Sequence, residues 1–223
     1  QVNKGFFKYN VKLNLNKLRI TLRNTLIDIW EYVIPIWKIS GLFKRIKSKK
    51  DLENFIQERS AHVTQTTLYG YLKTRIGVKY VAMMEDEVFN KSINIAKWNI
   101  YMVALADCSF YVFSYLMSEK NLKENDCKEI FLNILNKEIK NGLADDIYNT
   151  GKLDFLKRLE NINFNNYYLK DPFQKSGEAL YYWSPIADEL KTLDKKIVLN
   201  SISLKWGLVK NEFTKLTKDL NFC

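Results

Sequence analysis

The chain's single histidine lies in RSAHVTQTTLYGYLKTR, residues 59 to 75. On a helix, Arg59, His62, Thr66, Tyr69 and Lys73 recur at spacings of three and four, so they share one face with Phe55. A cation, an imidazole, a hydroxyl and a phenol in a row can hold an anion or pass a proton. The same row can be a polar seam whose members hydrogen-bond a neighbouring helix. The sequence shows no reacting partner for an acid or base, which favours the seam.

A second stretch, WNIYMVALADCSFYVFSYLM, residues 98 to 117, is apolar or aromatic almost throughout and long enough to cross a bilayer. Asp107 lies at its centre, with Asn99, Ser109 and Ser114 beside it. An ionisable group there costs roughly 2.5 to 3.5 kcal/mol on insertion scales, so a buried core helix is expected instead. A buried Asp107 needs a cation or several donors, and His62, Arg59 and Arg75 are partners by type. An enzyme reading would draw on His62, Asp107 and Tyr69, and would be a hydrolase.

Metal chemistry finds little support. YYWSPIADELKTLD brings Asp188, Glu189 and Asp194 after Tyr181, Tyr182 and Trp183, but a di-iron bundle needs repeated Glu-x-x-His pairs and here one His follows Glu58 by four residues. Cys108, Cys127 and Cys223 lack metal spacing, and their odd number argues against a disulfide framework and for a reducing compartment. Neither a metal nor a cofactor is expected. No Gly-x-Ser-x-Gly elbow, Walker loop or dinucleotide fingerprint occurs.

Eight glycines and three prolines are too few for the many turns of a sandwich or barrel. The expected fold is therefore all-α, an irregular multi-helix bundle with a buried central helix and a long C-terminal one. Ser48 and Asp51 resemble a capping box opening a helix to about Ile76, before Gly77. The acids at 85 to 87 suit the start of the central helix. Asn125 or Asp126 should cap a shorter helix ending at Gly142, and KLDFLKRLENI is a weaker segment. NFNNYYLKDPFQKSG reads as an irregular connection. Ser184 as N-cap and Pro185 as first helical residue should then open the last helix. Its apolar stripe runs through Ile186, Leu190, Leu193 and Ile197, then shifts to Ile202, Trp206, Val209, Phe213, Leu216 and Leu220. Such a shift implies a bend near Gly207 or two different partners.

Charge is distributed unevenly. Residues 1 to 50 hold twelve Lys or Arg against Asp28 and Glu31, so the whole formal excess of +10 is N-terminal. Residues 1–50 are read as a basic arm and 51–223 as one helical domain. The arm's opening has no apolar run of signal-peptide length and reads as mature sequence. Within it, Leu18, Leu22, Ile29, Trp30 and Val33 form one face of a basic amphipathic helix, with a break expected at Pro35. Lys17, Arg19, Arg23, Lys44, Arg45, Lys47, Lys49 and Lys50, with Arg59, Lys73 and Arg75 beyond, are the candidate binding residues. Their field suits an acidic protein face, an anionic membrane surface or RNA.

At RSAHVTQTTLYGYLKTRIG, SINIAKW and WSPIADELKTLDKKIVLNSI the chain resembles a family of uncharacterised alphaproteobacterial proteins, some of which carry an automatic esterase label. The resemblance implies a bacterial cytoplasmic protein or, through the ancestry of mitochondria, one on the matrix side, peripheral to a membrane if the arm docks there. It supplies no catalytic residues. The expected function is a non-catalytic helical adaptor, assembly factor or accessory subunit, with a His62-based hydrolase as the alternative and RNA binding third.

Overall fold

Ser48 starts the first helix as its residue type requires. In the computed structural model, which describes residues 45–120 and 122–220, the Ser48 hydroxyl accepts from the Asp51 amide at 3.1 Å and donates to the Asp51 carboxylate at 2.8 Å. That carboxylate also accepts from the Lys47 amide, one residue before the cap. Helix α1 runs Lys49–Ile76 and stops at Gly77, whose φ of 60° suits glycine. A short turn of helix, Tyr80–Met83, leads to α2, Glu87–Lys120, which Asp86 caps by accepting from the Phe89 amide at 2.7 Å.

Then come α3, Glu124–Lys140; α4, Asp145–Asn161; α5, Gln174–Trp183; and α6, Asp188–Leu216. Among the described residues there is no strand, so the chain is an all-α multi-helix bundle. It divides into two units, Gln1–Phe43 and Lys44–Cys223, and all these helices belong to the second.

The central helix is α2. Between Ile100 and Leu116 every residue is buried except Val103 and Tyr115, which are half-buried. It is long and apolar enough to cross a membrane by length and composition, and 83% of its most apolar window is buried inside the molecule. Helices α1, α3, α4 and α5 pack on it. Its buried serines find partners: Ser109 donates to the Leu105 carbonyl, and Ser114 donates to the Phe164 carbonyl while accepting from the Tyr168 amide. Phe131, Phe155 and Phe110 stack in sequence between α3, α4 and α2.

Four local expectations are corrected. Helix α3 starts at Glu124 with Lys123 as N-cap, so Asn125 and Asp126 lie in its first turn and Asp126 pairs with Lys49. Helix α4 extends from Asp145, a full two turns before KLDFLKRLENI, because Asp145 and Asp146 favour its dipole. Residues 174–177, read as loop, begin α5: Gly177 is there because a Cβ would sit 3.1 Å from Leu199 Cδ2 on α6. Ser184 does not cap α6, whose N-cap is Ala187. Its hydroxyl instead donates to the Leu180 carbonyl at 2.5 Å, closing α5 where Pro185 cannot continue it.

Candidate functional site

Helices α1 and α6 run antiparallel, so Arg59 meets Glu212 near one end and Arg75 meets Asp194 near the other. Buried Arg59 donates through Nε and Nη2 to both Glu212 oxygens at 2.7 Å, a bidentate pair. Arg75 grips Asp194 in the same forked way, and the Tyr71 hydroxyl donates to that carboxylate at 3.0 Å. His62 lies half-buried between these pairs. Burial, then the charges of Lys205 and Arg59, hold its pKa below the usual 6.5, with Glu212 opposing. Thr66 turns back to the His62 carbonyl. Tyr69 packs half-buried against the core and Lys73 is exposed. The row borders a seam between α1 and α6, in which Arg59 of the row and Arg75 beyond it bind α6 carboxylates and His62 lies among the charges of Lys205, Arg59 and Glu212.

Asp107 has other partners. Its Oδ1 accepts from Arg158 Nη2 at 2.6 Å and its Oδ2 from the Ser176 amide at 2.7 Å. Ser176 is in the first turn of α5, whose N-cap Phe173 has no side-chain acceptor to offer. The α2 carboxylate thus caps α5 from outside, where the helix dipole favours negative charge. The Ser176 hydroxyl donates to the Phe173 carbonyl at 2.8 Å and accepts from Trp206 Nε1 at 2.9 Å, bringing in α6. Arg158 also lies over the Phe110 ring at 4.6 Å. One carboxylate therefore pins α2, α4, α5 and α6 together.

Burial pushes the Asp107 pKa up to about 6, against the pull of Arg158 and the Ser176 amide. The partners expected by type, His62, Arg59 and Arg75, are a correction. Both arginines are committed to α6 carboxylates, and the cation comes from α4. His62 and Asp107 hold separate sets of neighbours and form no hydrogen-bonded pair. Among the described residues no cluster of His, Cys, Asp and Glu could hold a metal ion. Cys108 and Cys127 are buried free thiols whose pKa values burial raises to about 12, so both are inert at neutral pH.

The basic candidates divide into groups. Lys17, Arg19, Arg23 and Lys44 lie outside the described residues, as does the amphipathic face of the arm. Arg45 pairs with Asp219 at 2.5 Å, Lys49 with Asp126 at 2.8 Å, and Arg59 and Arg75 with the seam acids, which neutralises much of what these four would contribute to a long-range field. Lys47, Lys50 and Lys73 are exposed.

No functional residue was expected on the outer face of α6, and there the surface is most unusual. Leu190, Leu193, Ile197, Leu204 and Leu208 are all exposed, Leu193 by 76% and Leu204 by 73%. At 100° per residue they occupy an arc of about 60° and extend about 27 Å along the helix. The buried set, Val198, Ile202, Trp206, Val209 and Phe213, is centred about 140° away. The helix is continuous through Gly207, and the shifted stripe divides into an exposed face and a buried one. The shift was the available signal for this surface. Tyr182 and Trp183, read as packed aromatics, are exposed just before α6. A cleft of about 250 Å³ between α5 and α6 has buried Phe173 and Trp206 at its base and Glu178 and Lys210 at its rim.

The chain matches no family model, no curated protein and no solved structure.

Proposed function

We propose that the chain is a non-catalytic helical adaptor, an assembly factor or accessory subunit of a larger complex. The outer face of α6 would be one docking surface and the basic residues of 1–50 a second attachment. The carrying observation is the exposed row from Leu190 to Leu208 on a helix whose opposite face is in the core. Scattered exposed leucines are ordinary, but five aligned on one arc form a contiguous apolar patch of the kind that marks an interface. Covering the mostly exposed Leu193, Ile197, Leu204 and Leu208 would favour association, each by up to about 1.5 to 3 kcal/mol before the entropic cost of binding. Support for the second attachment is the charge count of residues 1 to 50, which suits an anionic membrane surface or an acidic protein. On the resemblance described above, the complex would belong to a bacterial cytoplasm or the mitochondrial matrix side.

The test is co-purification with the tagged full chain and with Leu193→Glu/Leu204→Glu, helicity being checked by circular dichroism. A stoichiometric partner should be lost from the variant while helicity is kept. Deleting residues 1–43 should release a membrane-bound or acidic partner and leave the helices folded. If both variants retain every partner, the reading fails.

A further inference from the structure

We infer that the cleft between α5 and α6 binds a free α-amino acid with a large apolar side chain, the side chain seated on the aromatic floor and the zwitterionic head held at the rim. The site is independent of the docking surface proposed above: it lies on the side of α6 that carries Trp206 and Lys210, and the exposed leucine row takes no part in its lining.

The floor suits apolar matter. Phe173 and Trp206 are buried, and their rings stack with centroids 4.2 Å apart and planes 10° from parallel, while Leu199 and Ile202 line the α6 wall. The polar atom of these two rings, the Trp206 indole nitrogen, already donates to the Ser176 hydroxyl at 2.9 Å. The rings therefore have no hydrogen bond left to give, and an occupant resting on them must be hydrocarbon or aromatic. Gly207, also in the lining, keeps the space open. A glycine in mid-helix lowers helix stability, yet a Cβ there would meet nothing within 4 Å, so nothing inside the molecule requires the missing side chain. The volume of about 250 Å³ lies below the roughly 300 to 1,000 Å³ of sites for drug-sized ligands and fits a molecule of amino-acid size.

The rim selects the class of ligand. On the α6 side Lys210 is half-buried, its ammonium 5.7 Å from the centroid of the Tyr111 ring. On the α5 side are the carboxylates of Asp171 and Glu178, the second accepting from Gln174 Nε2 at 2.9 Å. Among the described residues neither Lys210 nor Asp171 has an ion-pair partner. A plain carboxylate entering the cleft would satisfy Lys210 but bring its charge against Asp171 and Glu178. A plain amine would meet the carboxylates and leave Lys210 unanswered, like charge beside like. An α-amino acid carries both charges on one carbon: its carboxylate answers Lys210, its ammonium answers the acids, and its side chain is free to enter the apolar floor.

Isothermal titration calorimetry of the full chain with L-phenylalanine tests this, with phenylpropionate and phenethylamine as probes that keep the ring and carry one charge each. L-phenylalanine should bind one to one, and each single-charge probe at least about tenfold more weakly, because each forgoes a charge-assisted hydrogen bond. Lys210→Met should weaken L-phenylalanine about tenfold and leave phenethylamine no weaker, while Asp171→Asn should weaken L-phenylalanine and leave phenylpropionate no weaker. Gly207→Leu places a side chain in the cleft and should abolish binding of all three with unchanged circular dichroism; should it disturb the helix, the two charge variants carry the test. A wild type that binds none of L-phenylalanine, L-leucine and L-tryptophan overturns the inference. Binding of either single-charge probe as tightly as L-phenylalanine overturns the zwitterion class, and binding indifferent to Gly207→Leu in a folded chain overturns the cleft as its place.

Discussion

Asp107 and the outer face of α6 are opposite departures from the rule that apolar groups go inside. The first is a carboxylate with no exposure at all, the second a row of leucines largely in water. Inside, the departure is answered within the chain: Arg158 supplies the charge and α5 supplies an amide. Outside, nothing in the described residues answers it. A buried polar group with all its bonds made explains itself as architecture, while an apolar surface left over after the core is complete points beyond the molecule. Asp107 and its partners tie four helices together, while the exposed leucines are what point to a partner.

The contrast can be broken most forcefully at its inner end. Arg158→Ala leaves the Asp107 carboxylate buried without its cation and should cost about 3 to 5 kcal/mol in chemical denaturation. Arg158→Met with Asp107→Asn should recover a good part of that, since no charge is then stranded. A single Arg158→Ala that costs nothing would show that Asp107 is neutral or solvated. Ser176→Ala removes the acceptor of the buried Trp206 indole and should cost about 1 to 3 kcal/mol, read from the same curves with Trp206 fluorescence as a local report.

Smaller still are the titrations. Asp107 has a folded pKa raised from 3.8 to about 6, so its contribution is fully present below 3.8 and is lost as pH rises through 6. His62 has a lowered pKa, so its contribution is present above 6.5 and is lost as pH falls below that value. Against wild type, Asp107→Asn should remove a stability loss on going from pH 4 to 6, and His62→Gln should remove a loss on acidification below 6.5. Stability curves whose differences have the reverse signs would contradict both placements. The smallest effect belongs to the outer end: in the chain freed of partners, Leu193→Glu/Leu204→Glu should change unfolding stability by no more than about 0.5 kcal/mol. A larger loss would make the stripe part of the core.

Much of the secondary structure was legible because its signals are local. Ser48 with Asp51, the acids before α2, and Gly77 and Gly142 each act through backbone within a few residues, and each stands where its type demands. Helix α5 was missed because Gly177 and Pro172 read as punctuation, when Gly177 is there for close approach to α6. The cap assigned to Ser184 failed because a hydroxyl can donate as readily as accept, and the geometry of the α5 end decided which. The seam was half legible: the α1 row showed which side chains share a face, while Glu212, Asp194 and Lys205 lie more than a hundred residues away.

What the sequence by itself determined, then, is what depends on one helix at a time: the all-α class, the burial of residues 98 to 117, the need of Asp107 for compensation, and the existence of two apolar stripes on the last helix. What only the tertiary structure decided is every choice among equivalent partners. Arg59, Arg75 and Arg158 are the same side chain in sequence, and antiparallel packing of α1 on α6 claims the first two while α4 delivers the third to Asp107. Likewise, Leu190, Leu193 and Ile197 are as apolar as Ile202 and Val209, and only the docking of α5 and α1 settles which stripe is covered. Hydrophobicity and charge fix what a residue needs, but the need carries no address, and a partner distant in sequence is supplied by packing alone.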